Sequence, residues 1–241
     1  GVFATRFHVN DADGNLALLP KEIDPAVATM LSDMIPTGLH ASELAGVEFG
    51  DTVAVIGVGP VGLMAVRGAV LHGAGRLIAV GSNDRPITFE VAKKYGATDL
   101  VDYHAGDLAD QILKLTDGKG VDKVLIAGGD AAHTFDQAMR ILKPGGAIGN
   151  VNYLNGHDDV VFNAANWGVG MSHKTLHGGL MPGGRLRMEK LASLVVNGRI
   201  DPSLMITQRF EGFEHIADAV ELMHKKPADV IKPVVICNDI D

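Results

Sequence analysis

Between residues 52 and 151 the apolar positions follow two rhythms in alternation. Short unbroken runs, Thr52-Val53-Ala54-Val55-Ile56, Arg76-Leu77-Ile78-Ala79-Val80 and Lys123-Val124-Leu125-Ile126-Ala127, read as strands buried on both faces. Longer segments with helical spacing stand between them, predicting helices over Val61–Leu71, Ile87–Tyr95, Leu108–Leu115 and Thr134–Leu142, with a short strand at Asp99–Val101. Lys143-Pro144-Gly145-Gly146 reads as a stop signal before a strand over Ala147–Val151. Strand and helix alternating with short connections predict an α/β fold: a doubly wound parallel sheet, right-handed crossovers and helices on both faces. Ligands of such sheets bind beyond the carboxyl ends of the strands.

The flanking segments are less regular. Phe3, Phe7 and Val9 suggest a strand before the polar turn Asn10-Asp11-Ala12-Asp13-Gly14-Asn15. The chain opens Gly1-Val2-Phe3 without an initiator Met, so a fragment or processed chain is expected. After Tyr153 a polar stretch runs through Asp159, followed by the strand-like Thr175-Leu176-His177 and the breaker Gly178-Gly179-Leu180-Met181-Pro182-Gly183-Gly184. Helices over Arg185–Val196 and Glu214–Lys225 flank Met205–Phe210, and Val230–Ile236 reads as a closing strand. The two ends look like parts of a second, incomplete unit.

The most informative local feature is Gly57-Val58-Gly59-Pro60-Val61-Gly62, which joins the first long strand to the first helix. In a dinucleotide-binding turn the first glycine permits a tight bend, the second lets the backbone approach a pyrophosphate, and the third lets the helix press on the strand. The helix start adds N–H groups and partial positive charge. Glycine-rich turns also join ordinary strands to helices, but the strand-before, helix-after context is the one the motif requires.

The second strand ends in Gly81-Ser82, where an NAD-preferring protein usually carries Asp or Glu for the ribose hydroxyls. A carboxylate about 4 Å from a phosphate costs roughly 4 kcal/mol per pair of unit charges at an effective dielectric near 20, so its absence favours NADP. Gly81 leaves room, Ser82 can donate a hydrogen bond and Arg85 can supply positive charge, while Asp84 could turn toward the same phosphate or toward solvent. Ser82-Asn83-Asp84 could equally cap the helix beginning near Pro86.

Composition narrows the field. The chain has 241 residues, is 46% hydrophobic and carries a formal charge of -8, which argues against a nucleic-acid partner. The longest apolar stretch, around Val53 to Val66, is too short and too interrupted to cross a bilayer. Cys237 stands alone, which excludes an internal disulfide or a cysteine zinc cluster and suits a cytoplasmic location.

These motifs, with His8-Val9-Asn10-Asp11-Ala12-Asp13, Lys143-Pro144-Gly145-Gly146, Gly183-Gly184-Arg185-Leu186-Arg187 and Ile231-Lys232-Pro233-Val234-Val235, give the chain its resemblance to a known family. It resembles the NADP-dependent, zinc-containing secondary alcohol dehydrogenases of the medium-chain dehydrogenase/reductase superfamily, nearly end to end. The resemblance implies a Rossmann domain over 37–180 and remnants of an incomplete GroES-like catalytic domain over 1–36 and 181–241. It implies an alcohol or ketone substrate, NADP, catalytic Zn2+ and a homotetramer. Among the residues, it implies Asp33 as a zinc ligand, Thr37 near the nicotinamide, and Val58, Gly59, Pro60 and Val61 at the pyrophosphate. Gly81, Ser82 and Tyr103 fall around the adenosine 2'-phosphate, Val151, Asn152 and Tyr153 near the nicotinamide half, and Lys226 in the C-terminal part. Family members place Arg directly after the Gly-Ser pair; this chain has Asn83 there and Arg85 two positions later.

Read without the resemblance, Asp33 is a helix-surface or capping acid, Tyr103 a strand-end aromatic and Lys226 a surface charge. His173 and His177 would suit a metal on a helix, but in a strand they stand ~13 Å apart. Ser172 lacks a nucleophile-elbow sequence. No catalytic residue is assigned. A methyltransferase also combines a glycine-rich turn with Lys-Pro-Gly-Gly, and a non-catalytic NADP-binding module is a third reading. Zinc catalysis needs more protein ligands than one carboxylate, so weak or absent turnover is expected of the chain as given.

Overall fold

The computed structural model describes residue 4 and residues 6–237. In chain order the helices and strands are α1 (Ala12–Asn15), α2 (Pro25–Ala28), α3 (Met34–Ala45), β1 (Thr52–Ile56), α4 (Pro60–Leu71), β2 (Arg76–Gly81), α5 (Pro86–Tyr95), β3 (Asp99–Asp102), α6 (Leu108–Leu115), β4 (Val121–Ile126), α7 (Thr134–Ile141), β5 (Leu142–Asn150), β6 (Thr175–Gly178), α8 (Arg185–Val196), β7 (Ile206–Glu211), α9 (Ile216–Lys225) and β8 (Lys232–Ile236). The chain divides into two compact units, residues 37–181 and residues 1–36 with 182–241.

In the 37–181 unit six parallel strands lie in the order β3-β2-β1-β4-β5-β6, the arrangement of a dinucleotide-binding sheet. The strands alternate their side chains between two covered faces. Ala54, Ile56, Ile78, Val80, Val124 and Ile126 join Leu108 and Ile112 of α6 and Phe135 and Met139 of α7 in one core. Val53, Val55, Leu77, Ala79 and Leu125 point the other way and are equally buried. Burial on both faces explains why the strands read as unbroken apolar runs.

Helix α3 was not visible in the apolar pattern. Pro36 and Gly38 sit in its first two turns, yet Pro36 is tolerated because first-turn N–H groups have no intrahelical acceptor. Gly38 costs about 1 kcal/mol in helix propensity but is demanded by packing: a Cβ there would stand 2.4 Å from Met64 Cβ and 2.5 Å from Val61 O.

Other expectations need correction. Phe3 lies outside the described residues, while Phe7 and Val9 belong to no strand; Phe7 is exposed and has no sheet neighbour to bury it. Part of the expected turn at residues 10–15 winds into α1, entered through Asp11 in the left-handed region. Lys143-Pro144-Gly145-Gly146 does not separate α7 from its strand. It lies inside β5, where Leu142 pairs with Val121 and Ala147 with Lys123, so the motif is a bulge turned by Gly145 at φ 77°.

In the other unit β7 and β8 pair in parallel around α9. The start of the helix expected over Glu214–Lys225 is a 3-10 turn, Phe213–His215, before α9 proper. Arg209 forms an ion pair with Asp24, whose side chain also accepts from Ala26 N–H at the start of α2.

Candidate functional site

The turn between β1 and α4 assigns each glycine a distinct physical task. Gly57 has φ +90°, and a Cβ on it would stand 2.8 Å from Gly128 N and Cα, so the turn is wedged against the end of β4. Gly62 is still tighter, since its Cβ would fall 1.6 Å from Gly57 O. Gly59 differs from both: it caps α4 with φ -71° and has nothing within 4 Å of its Cβ position. Two glycines thus make the turn and one leaves its outer side open. Pro60 occupies the first helical position, and Leu63 N–H donates to Gly59 O at 2.8 Å. The N–H groups of Val61 and Gly62 belong to the first turn, which helix geometry leaves without intrahelical acceptors. An open glycine beside such donors is the geometry that accepts a pyrophosphate.

The other expected residues of this unit lie along the same sheet edge. Gly38 abuts α4 at Val61, Met64 and Ala65, and Thr37 is the residue before it in α3. Gly81 ends β2 against the same turn, but the room foreseen there is filled: its Cβ would stand 2.4 Å from Val58 Cγ2 and 2.8 Å from Phe89 Cε1. Ser82, the next residue, is itself buried. Ser82, Asn83 and Asp84 do not cap α5, which has Arg85 at its cap position and no side-chain cap. They form their own turn, in which Asp84 N–H donates to Ser82 Oγ at 3.0 Å and Arg85 N–H to Ser82 O at 3.1 Å. Tyr103, 53% exposed, follows β3 with its ring centroid 4.2 Å from that of His104.

On the far side of the turn, Val151 N–H donates to Ile126 O and Asn152 Nδ2 to Gly129 O at 3.1 Å, while Tyr153 is almost fully exposed. Gly57 against Gly128, and Asn152 against Gly129, connect the glycine turn to the end of β5. Gly128 and Gly129 were not singled out from the sequence, although the Gly-Gly pair directly after an apolar strand was a legible signal. A cavity of about 510 Å³ between Asp130–His133 and His157–Val161 includes none of the expected residues, and its acidic lining does not suit phosphates.

Asp33 and Lys226 belong to the other unit. Asp33 is exposed after the 3-10 turn Thr29–Ser32, and Lys226 ends α9 at φ 44°. Among the described residues no three His, Cys, Asp or Glu side chains come together as a metal site, so these residues by themselves do not fit a catalytic zinc. His177 in β6 bonds through Nδ1 to Leu44 O at 3.0 Å, a structural role.

Comparison with known proteins adds to this geometry. Residues 60–197 match the family model described as "Zinc-binding dehydrogenase". The chain belongs to the zinc-binding dehydrogenase family. It is 61% identical over 235 residues to an NADP-dependent isopropanol dehydrogenase of Entamoeba histolytica, a match that covers 98% of the chain and 63% of that relative. Zinc dependent alcohol dehydrogenase 2 from Streptococcus pneumonia superposes with a TM-score of 0.83 at 28% identity, over 98% of this chain and 65% of that one. A putative zinc-binding dehydrogenase from Sinorhizobium meliloti 1021, solved bound to NADP, gives 0.78 at 27% identity, over 90% and 61%. The chain thus spans just under two thirds of the length of these family members. The methyltransferase reading finds no support: the family match is to dehydrogenases, and all six strands of the sheet are parallel. No described helix is long and apolar enough to cross a membrane.

Proposed function

We propose that residues 37–181 form the NADP(H)-binding domain of an oxidoreductase that interconverts secondary alcohols and ketones, flanked by parts of its catalytic domain over 1–36 and 182–241. The observation that carries this reading is the open Gly59 between the sterically obligatory Gly57 and Gly62, at the carboxyl edge of a sheet ordered as in dinucleotide-binding domains. When bound, the nicotinamide would supply or accept a hydride at C4. Val58, Gly59, Pro60, Val61 and Gly62 would hold the pyrophosphate, Ser82, Arg85 and Tyr103 the adenosine end, and Thr37, Val151, Asn152 and Tyr153 the nicotinamide half. Lys226, in the C-terminal part, is proposed as a coenzyme-binding residue on the resemblance alone. Gly57 and Gly81 would support the turn through their close packing, with only their backbone available to the coenzyme.

Asp33 is proposed as one ligand of a zinc whose coordination needs partners beyond those the described residues bring together. A cytoplasmic homotetramer completes the proposal: the single cysteine suits a reducing compartment, and the resemblance implies the assembly. Titration with NADPH and NADH, followed by nicotinamide fluorescence, tests the reading. Binding of NADPH with no response to S-adenosylmethionine is expected; no affinity for either nicotinamide coenzyme would overturn it.

A further inference from the structure

The carboxyl ends of β2 and β3 are in register at Gly81 and Asp102, and the loops leaving them meet just beyond that pair. Asn83 Nδ2 donates to Asp102 Oδ2 at 2.7 Å, and Asp102 Oδ1 accepts the His104 N–H at 2.9 Å. Both Asp102 oxygens are therefore engaged, one by the loop after β2 and the other within the loop after β3. Asp84 is placed differently. Its side chain is 81% exposed and its Oδ2 lies 3.5 Å from His104 Nε2, beside the exposed ring of Tyr103.

An acid that recognises ribose hydroxyls ordinarily stands at the end of the second strand. In this chain that position cannot carry one, because any side chain on Gly81 collides with Val58 of the glycine turn and with Phe89. Ribose-facing polar groups must come from the next residues, and the carboxylate among them not tied to a backbone or amide donor is that of Asp84, which among the described residues meets the imidazole of His104.

We propose that Asp84 is a specificity-determining residue: its carboxylate acts against the 2'-phosphate of NADP, both by its own charge and by holding His104 Nε2 away from that phosphate. This rests on the coenzyme-binding reading above. Asp84 has little effect on NAD, whose ribose is neutral at that position. The chain consequently discriminates less between the two coenzymes than its missing strand-end acid would suggest. Because Asp84 is exposed, salt screens part of the effect.

Parallel titrations of the 241-residue chain, Asp84→Asn and His104→Gln with NADPH and NADH at low ionic strength test this. Asp84→Asn keeps the side chain's shape and the backbone turn, and is expected to tighten NADPH roughly three- to tenfold with NADH unchanged, a gain that shrinks in salt. His104→Gln alone is expected to leave the ratio of the two affinities nearly unchanged, and in the Asp84→Asn background to remove part of the NADPH gain, because only there is the imidazole released from Asp84. An unchanged ratio of the two affinities in Asp84→Asn, with both coenzymes still bound, would overturn the role of Asp84 alone. Failure of the unmodified chain to bind either coenzyme would overturn the binding reading, and this one with it.

Discussion

Two alanine substitutions three chain positions apart in the glycine turn, at Gly59 and Gly62, should have opposite consequences. At Gly62 the added methyl would start 1.6 Å from Gly57 O, and the turn must open by at least about 1.4 Å to reach the 3.0 Å below which Cβ contacts are essentially never found. It has nowhere to retreat, because Gly57 is already seated against the Gly128 backbone. Overpacking of this kind costs about 1–3 kcal/mol and sometimes more, and the backbone on both sides puts Gly62→Ala at about 3 kcal/mol or above. With a urea slope of about 3 kcal/mol/M, the unfolding midpoint should fall by about 1 M. Gly59→Ala meets nothing within 4 Å and has an ordinary φ of -71°, so its stability should hold or rise by about 0.4–1 kcal/mol through the unfolded chain. Its methyl, however, enters the space assigned to the pyrophosphate. Loss of one charge-assisted hydrogen bond, about 1.5–3 kcal/mol, should weaken NADPH roughly ten- to a hundredfold. Urea melts and fluorescence titration of both variants provide the assay. A Gly62→Ala protein as stable as the parent, or a Gly59→Ala protein that binds NADPH unchanged, would refute the division of tasks.

The remaining predictions concern stability and metal. Arg76 holds Asp99 through Nε at 2.9 Å and Nη2 at 2.7 Å, and this hydrogen bonding keeps the Asp99 carboxyl below its ordinary 3.8. A depressed carboxyl stabilises the fold above the unfolded value and loses that contribution as pH falls through the folded one, so Asp99→Asn should cost about 1 kcal/mol at neutral pH after solvent screening. The gap in thermal midpoint between Asp99→Asn and parent should close as pH drops below about 3.8; a constant gap would contradict the linkage. Phe135, 1% exposed in the core between α6, α7 and the sheet, should lose about 3–5 kcal/mol on change to alanine, measured by urea unfolding. After zinc loading and desalting, the chain should retain less than a full equivalent of metal, and chelator should leave NADPH binding intact. A retained equivalent that disappears in Asp33→Ala would show that more ligands gather around Asp33 than the described residues bring together.

The sequence alone determined the sheet unit to a large degree, because strands buried on both faces and helices with one apolar face leave distinct periodicities. β1, α6 and α8 begin and end where the apolar pattern placed them, and the glycine turn is legible because each of its glycines answers a backbone requirement. What the tertiary structure decided is whatever depends on a neighbour distant in the chain. Helix α3 carries poor local signals and exists because Gly38 fits against α4; Lys143-Pro144-Gly145-Gly146, a local stop signal, is absorbed as a bulge by pairing with β4. Gly81 looked like open space in sequence and is filled by Val58 and Phe89, while Asp84, ambiguous in sequence, is turned to His104 by the loop after β3. Local periodicity specifies which face of an element is buried, but the partner that occupies a given position is fixed only when separate strands and helices are brought together.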